Sequence, residues 1–254
     1  LLALEAKSIT RSFGSTRAVH NLNLKVEEGQ VYGLLGPNGS GKSTTMKMIL
    51  GLIKPDAGAI TVYGMDVASN PVEVRRIIGY VPESPRLYEF LTGIEYLDFI
   101  GDVYRLDVQT KKERIKDFLN ALQLEGHENE IISGYSQGMK QKIAIIAALM
   151  HKPKLLVLDE PLNGLDPRAA RIVKDLLHKL ASEGVTTIFS THILEIAEAI
   201  CDRVAIMYQG EIISEGTVTE LREKAGMPGS SLEDVFLKIT GTSDIKDVVE
   251  ALAK

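Results

Sequence analysis

Residues 36–44 read GPNGSGKST and satisfy the spacing G-x-x-x-x-G-K-[ST] through Gly36, Gly41, Lys42 and Ser43. A glycine-rich turn lets successive backbone N–H groups face inward around phosphate oxygens. A helix opening directly behind it aims its positive end at the same charge. Both flanks fit that reading: QVYGLLG before the loop is a compact apolar strand, and TTMKMILGL after it has helical spacing and stops at a glycine. Gly36, Pro37, Asn38, Gly39, Ser40, Gly41, Lys42, Ser43 and Thr44 are therefore expected to cradle the phosphates of a nucleotide. Lys42 would reach the β- and γ-phosphates, and Ser43 would offer its hydroxyl to Mg2+.

A metal on those phosphates needs a second contact, from an acid at the end of another buried strand. KLLVLDE, residues 154–160, supplies Asp159 and Glu160 behind a run of apolar residues. Asp159 suits a water-mediated metal contact, and Glu160 is placed to polarise an attacking water as general base. Acids at strand ends also serve as plain helix caps. Paired with the first loop, these two point to hydrolysis of a nucleoside triphosphate.

Outward from these two strands the chain alternates strand and helix, which implies an α/β fold with a mostly parallel sheet covered on both faces. The expected architecture is a P-loop NTPase core with an N-terminal antiparallel β subdomain and an inserted helical lobe. LALEAKSI and NLNLKVEEG alternate apolar and polar positions, as paired strands do. Residues 1–217 form the expected nucleotide-binding domain, with the core at 1–83 and 152–217 and the helical lobe at 84–151. Residues 218–254 form a helical tail. Helix starts are signalled by Thr92 with Glu95, by Thr110 with Glu113, by Ser136, by Asp166 followed by Pro167, and by Ser231 with Asp234.

The chain has 254 residues, 44% hydrophobic and 25% charged, enough for one large domain. A net charge of −5 argues against a nucleic-acid binder and against charge-driven attachment to an anionic membrane. The single cysteine, Cys201, follows an apolar helical pattern and is expected to be a buried structural thiol. No apolar run approaches the roughly 18 residues a membrane span needs. The opening LLALEAKSIT lacks the regions of a signal peptide. A cytoplasmic protein is expected, held at a membrane only through another protein.

SGYSQGMKQ, residues 133–141, is a second Ser/Gly segment opening a helix, shortly upstream of LLVLDEP. No N-K-x-D guanine-reading motif is present. Over nearly the whole chain the sequence resembles the ATP-binding cassette family, whose corresponding loop is L-S-G-G-Q. Tyr135, Ser136, Gln137, Gly138 and Met139 occupy that loop here, keeping its Ser and its second Gly. NGLD, residues 163–166, is similar to the family's D-loop, and STH ends on His192 where the family places a switch histidine. Phe13 stands where the family stacks an aromatic on adenine; an ordinary core Phe is the other reading. GYVPES puts Glu83 in place of the family's Q-loop glutamine, where a carboxylate could still bind Mg2+ while adding negative charge beside the triphosphate.

The resemblance implies that two ATPase subunits, a homodimer or a paralogous heterodimer, pack head to tail. Ser136 and Gly138 of one would close over the γ-phosphate held by the other. It implies ATP and Mg2+ as cofactors, with Lys42, Glu160 and His192 acting on the phosphates. It also implies a separately encoded transmembrane permease subunit docked on SPRLYEFLTGIEYLDF, and a location on the inner face of the cell membrane. YGMDV, GYVPESPRLYEFLTGIEYL and SLEDVFLKITG look like export-type subunits. The alternatives are a soluble cassette ATPase acting on ribosomes or nucleic acid, and a nucleotide sensor without turnover.

Overall fold

A computed structural model describes residues 1–241. In chain order the elements are β1 (Leu2–Phe13), β2 (Thr16–Glu27), β3 (Val31–Leu35), α1 (Lys42–Ile49), β4 (Ala57–Val62), β5 (Met65–Asp66), α2 (Pro71–Arg76) and β6 (Ile78–Val81). Then come α3 (Gly93–Val103), α4 (Val108–Ala121), α5 (Gln137–Leu149), β7 (Leu155–Asp159), α6 (Pro167–Ser182), β8 (Thr186–Thr191) and α7 (Leu194–Ile200). β9 (Arg203–Tyr208), β10 (Glu211–Gly216), α8 (Val218–Lys224) and α9 (Leu232–Thr240) complete them.

The strands form two sheets. β2-β1-β4-β5 is antiparallel throughout. The other sheet runs β10-β9-β3-β8-β7-β6 and is parallel except for the β9–β10 hairpin. Every residue of β3, β7 and β8 is buried, as expected of parallel strands covered on both faces. Leu35 pairs with Thr191 and Asp159 with Ser190, so the loops after β3, β7 and β8 leave the sheet side by side. The carboxyl ends of neighbouring parallel strands are where such sheets build their sites.

Three apolar clusters hold the layers. One packs β1, β2 and β4 with α1 against one face of the parallel sheet, around Leu4, Leu24, Met46 and Ile188. A second packs α3–α6 against the other face, around Leu97, Ile143, Leu158 and Phe189. A third, around Leu35, Leu194, Ile206, Leu221, Leu232 and Val235, joins α7, α8 and α9 to the end of β3.

The helix starts follow local chemistry. Thr92 and Glu95 close a reciprocal capping box at α3, and Ser231 with Asp234 does the same at α9. Asp166 accepts from Ala169 N–H at 2.9 Å with Pro167 behind it, and Gly184, at φ +89°, follows the end of α6. One start differs from the sequence reading: α4 opens at Val108, not at Thr110. Asp107 is its cap, its Oδ1 accepting from Thr110 N–H at 2.9 Å. An aspartate caps at least as well as a threonine and lengthens the helix by nearly a turn. Glu113 then accepts from Gln109 Nε2 at 2.5 Å and closes no box. The expected tail through residue 254 lies outside the described residues beyond 241.

Candidate nucleotide site

The loop between β3 and α1 is shaped by what its glycines leave out. A Cβ on Gly36 would stand 2.3 Å from the Met207 carbonyl and 2.6 Å from Ser40 Oγ; one on Gly41 would stand 2.5 Å from the Ala18 carbonyl. Gly41, at φ +104°, turns the chain straight into α1, whose first residues are Lys42 and Ser43. The loop is pinned from outside as well: Gly210 N–H donates to the Ser40 carbonyl at 3.1 Å, and His20 N–H to the Gly210 carbonyl at 2.8 Å.

Lys42 is 6% exposed, and its ammonium donates to the carbonyls of Gly36 at 2.7 Å and Pro37 at 3.2 Å. Burial holds its pKa below the ordinary lysine value, opposed by the charges of Glu160, Asp159 and Glu83. A partly desolvated ammonium at the glycine loop, close to three carboxylates, suits a polyanion arriving with its own cation.

The two acids sit at the end of β7, both buried. Ser190 on the neighbouring strand β8 donates from Oγ to Asp159 Oδ1 at 2.5 Å and accepts from Glu160 N–H at 3.1 Å. That N–H also meets the Ser190 carbonyl at 3.2 Å. Glu160 is held at φ +47°, a conformation non-glycine residues rarely take, so its carboxylate leaves the strand direction and turns toward the loop. His192, one residue past β8, has Nδ1 2.8 Å from Glu160 Oε1.

A cavity of about 740 Å³ gathers Asn38, Gly39, Ser40, Gly41, Lys42, Ser43, Thr44, Glu83, Asp159 and Glu160. Four further residues on its wall escaped the sequence reading: Thr16, Arg17, Ala18 and Gln209. They arrive by long-range pairing of β2 and the β9–β10 turn. The only signal for them was the Gln209-Gly210 dipeptide in a hairpin pattern. Gly36 and Pro37 act behind the wall through their carbonyls. Phe13 is 47% exposed at the end of β1, paired with Thr16, and the Arg11 guanidinium covers its ring at 4.8 Å.

Ser40 Oγ is buried at the loop without a hydrogen-bond partner, a group a phosphate oxygen would satisfy. Ser43, Asp159 and Glu83 share the cavity, while among the described residues no group of three or more His, Cys, Asp or Glu forms a metal cluster. One hydroxyl and one or two carboxylates are the donor set of Mg2+ whose shell is completed by phosphate oxygens and water.

The second Ser/Gly segment is elsewhere. Ser136 caps α5 by accepting from Met139 N–H at 3.2 Å, and it lines no part of the cavity. Gly138 lies against the 163–166 loop so closely that a Cβ there would stand 2.6 Å from the Gly164 carbonyl. Gln141 Nε2 donates to the Pro161 carbonyl at 3.0 Å, and Lys142 pairs with Asp166 at 3.1 Å. The tip of α5 is thus exposed and tied to the loop that follows Glu160.

On the lobe, Tyr88, Phe90, Ile94 and Phe99 are exposed, with Tyr88 in edge contact with Tyr96 and Phe99. Cys201 is partly exposed as a residue, but its sulfur is packed beside Gly33, and burial pushes its thiol pKa up; it is a structural thiol. Among the described residues no helix is long and apolar enough to cross a membrane.

Residues 19–163 match the family model described as ABC transporter. The linearmycin resistance ATP-binding protein LnrL of Bacillus subtilis is 37% identical over 252 residues, covering 96% of this chain and 81% of LnrL. A solved ATP-binding subunit of an ABC transporter superposes with a TM-score of 0.89 at 34% identity, covering 94% of this chain and 99% of that one. The cassette MJ0796, solved as a dimer in a post-hydrolysis state with ADP and Pi, superposes with a TM-score of 0.77 at 28% identity, covering 84% and 98%.

Proposed function

The chain belongs to the ABC transporter family, and from that membership we propose that it is the ATP-hydrolysing subunit of a membrane exporter, working as a pair that closes on two ATP molecules. The observation that carries this reading is a separation. Lys42, Ser43, Asp159 and Glu160 converge on one cavity, while Ser136 and Gly138, at the tip of α5, line no part of it. A helix N-terminus that stands apart from its own phosphate site is open to an anion held by another subunit. The dimeric state of the similar cassette MJ0796 supports that arrangement.

In the pair, the N–H groups of residues 38–44 and the Lys42 ammonium hold the triphosphate, and Phe13 supplies an exposed ring for the base. Mg2+, held through Ser43 and Asp159 with Glu83 beside them, would neutralise charge on the β- and γ-phosphates. Glu160 polarises the attacking water, and His192 fixes the carboxylate from the exposed side. Because the partner's Ser136 tip reads the γ-phosphate, closure is stable with ATP and weakens once that phosphate is gone. This nucleotide-dependent difference drives the permease.

The exposed aromatics of the lobe suit a short amphipathic helix of that permease. The resistance named for LnrL favours export, and no relative named above supports a soluble subunit acting on ribosomes or nucleic acid. With Glu160→Gln blocking turnover, size-exclusion in ATP should show a dimer, and adding Ser136→Arg should return it to monomer. A dimer surviving in the double variant overturns the assignment of the helix tip.

A further inference from the structure

α7 is the element that leaves the His192 position, and it is poorly built to stand alone. It has seven residues, its N-cap is Ile193, and no side chain caps it. A helix that short is marginal without outside support. Part of that support comes from the strand below, and part from the far end of the chain. Leu194, Ala197 and Leu35 share an apolar cluster with Leu221 of α8 and with Leu232 and Val235 of α9. Leu194 is two residues past His192, and Leu35 is the residue before Gly36.

The polar contacts converge on Glu198, at the middle of α7. Its Oε1 pairs with Arg222 Nη2 on α8, and its Oε2 accepts from Leu232 N–H, the first residue of α9, at 3.2 Å. Arg222 Nε in turn donates to the Ser230 carbonyl at 2.6 Å, fixing the turn between α8 and α9. Ser231 and Asp234 cap α9 independently of this bridge. The carboxylate also stands at the positive end of α9, which favours its charge. None of Glu198, Arg222, Leu232 or Val235 lines the nucleotide cavity.

We infer that Glu198 is a positioning residue for hydrolysis: by clamping α7 to α8 and α9 it sets where His192 meets Glu160, so the C-terminal helices tune turnover without touching ATP. This rests on the reading of His192 and Glu160 as the pair that acts on ATP. A support of this kind changes how often the His192–Glu160 contact is made while leaving the phosphate cradle intact. Its loss therefore falls on kcat rather than on KM.

The test is ATP turnover by the full chain carrying Glu198→Ala, alone and together with His192→Ala. Glu198→Ala should lower kcat about fivefold with KM for ATP unchanged, and should add almost nothing once His192 is gone, because coupled residues are non-additive. Glu198→Gln keeps the acceptor for Leu232 N–H and should recover part of the loss. The imidazole carbon signal of His192 should move in Glu198→Ala and return toward its original position in Glu198→Gln.

Equal losses in both backgrounds, a raised KM, or an unmoved imidazole signal overturns the inference while leaving the reading of His192 intact. If His192→Ala alone turns over at the unaltered rate, that reading fails and the inference with it. If Glu198→Ala loses its cooperative melting transition, Glu198→Gln carries the same comparison.

Discussion

His192, with its imidazole half exposed, places Nδ1 2.8 Å from Oε1 of Glu160, whose side chain is 7% exposed. One partner is buried at the end of β7 with its N–H bonded to Ser190; the other is half exposed and follows the neighbouring strand β8. The carboxylate is thereby fixed in direction by a residue that solvent can reach.

Glu160→Gln keeps size and polarity while removing the base. Turnover should fall by at least about a hundredfold, the scale of a lost general base, with ATP affinity retained. Steady-state phosphate release together with equilibrium ATP binding checks both halves. Undiminished turnover would exclude Glu160 as the base.

Lys42→Ala removes the one ammonium among the described residues lining the cavity and leaves the carbonyls of Gly36 and Pro37 without it. ATP affinity should drop about tenfold or more, because a charge-assisted contact to the phosphates is lost. Fluorescence titration with a labelled ATP analogue measures it.

The local structure around this site was legible in the sequence where chemistry constrains neighbours in the chain. GPNGSGKST must be a glycine turn into a helix, and the acids of LLVLDE must end a buried strand. Ser136 and Asp166 announced their helices because capping is a local matter. The start of α4 differs because Asp107 and Thr110 both offer N-cap side chains: Thr110 has Glu113 three residues on, yet Asp107 is the one that caps. Thr16, Arg17, Ala18 and Gln209 were not legible at all. Their place on the cavity wall is set by β2 and the β9–β10 turn packing on the loop from far along the chain.

Gly138→Ala places a methyl 2.6 Å from the Gly164 carbonyl, so backbone must move. Stability should fall by about 1–3 kcal/mol, the usual cost of overpacking. Turnover should fall further than ATP binding to the isolated chain. Thermal melting and ATPase assays on the same preparation separate the two effects.

Glu83→Gln removes one of the three charges facing Lys42. If Glu83 helps hold the metal, the Mg2+ concentration for half-maximal turnover should rise about threefold or more, at roughly the cost of one weakened oxygen contact. An unchanged Mg2+ dependence would place Glu83 outside the metal's shell.

His151 stacks on Tyr104 with ring centroids 3.7 Å apart, and its Nε2 meets the Ile78 carbonyl at 3.1 Å. Burial pushes its pKa down to about 4 from 6.5. The unfolded chain therefore binds this proton at a higher pH than the native one, so stability should fall as pH drops from about 6.5 toward 4 and level off below. Urea midpoints across that window should show the slope, and His151→Gln, which keeps a donor for Ile78, should flatten it.

Gly138 against Gly164, Gln141 on Pro161 and Lys142 on Asp166 make the tip of α5 and the loop behind Glu160 one stiff piece. In the proposed pair, the lever resting on one triphosphate is continuous with the stretch beside the other triphosphate's water. The two chambers would then be geared crosswise. A shift at either one would reach its counterpart through these three contacts.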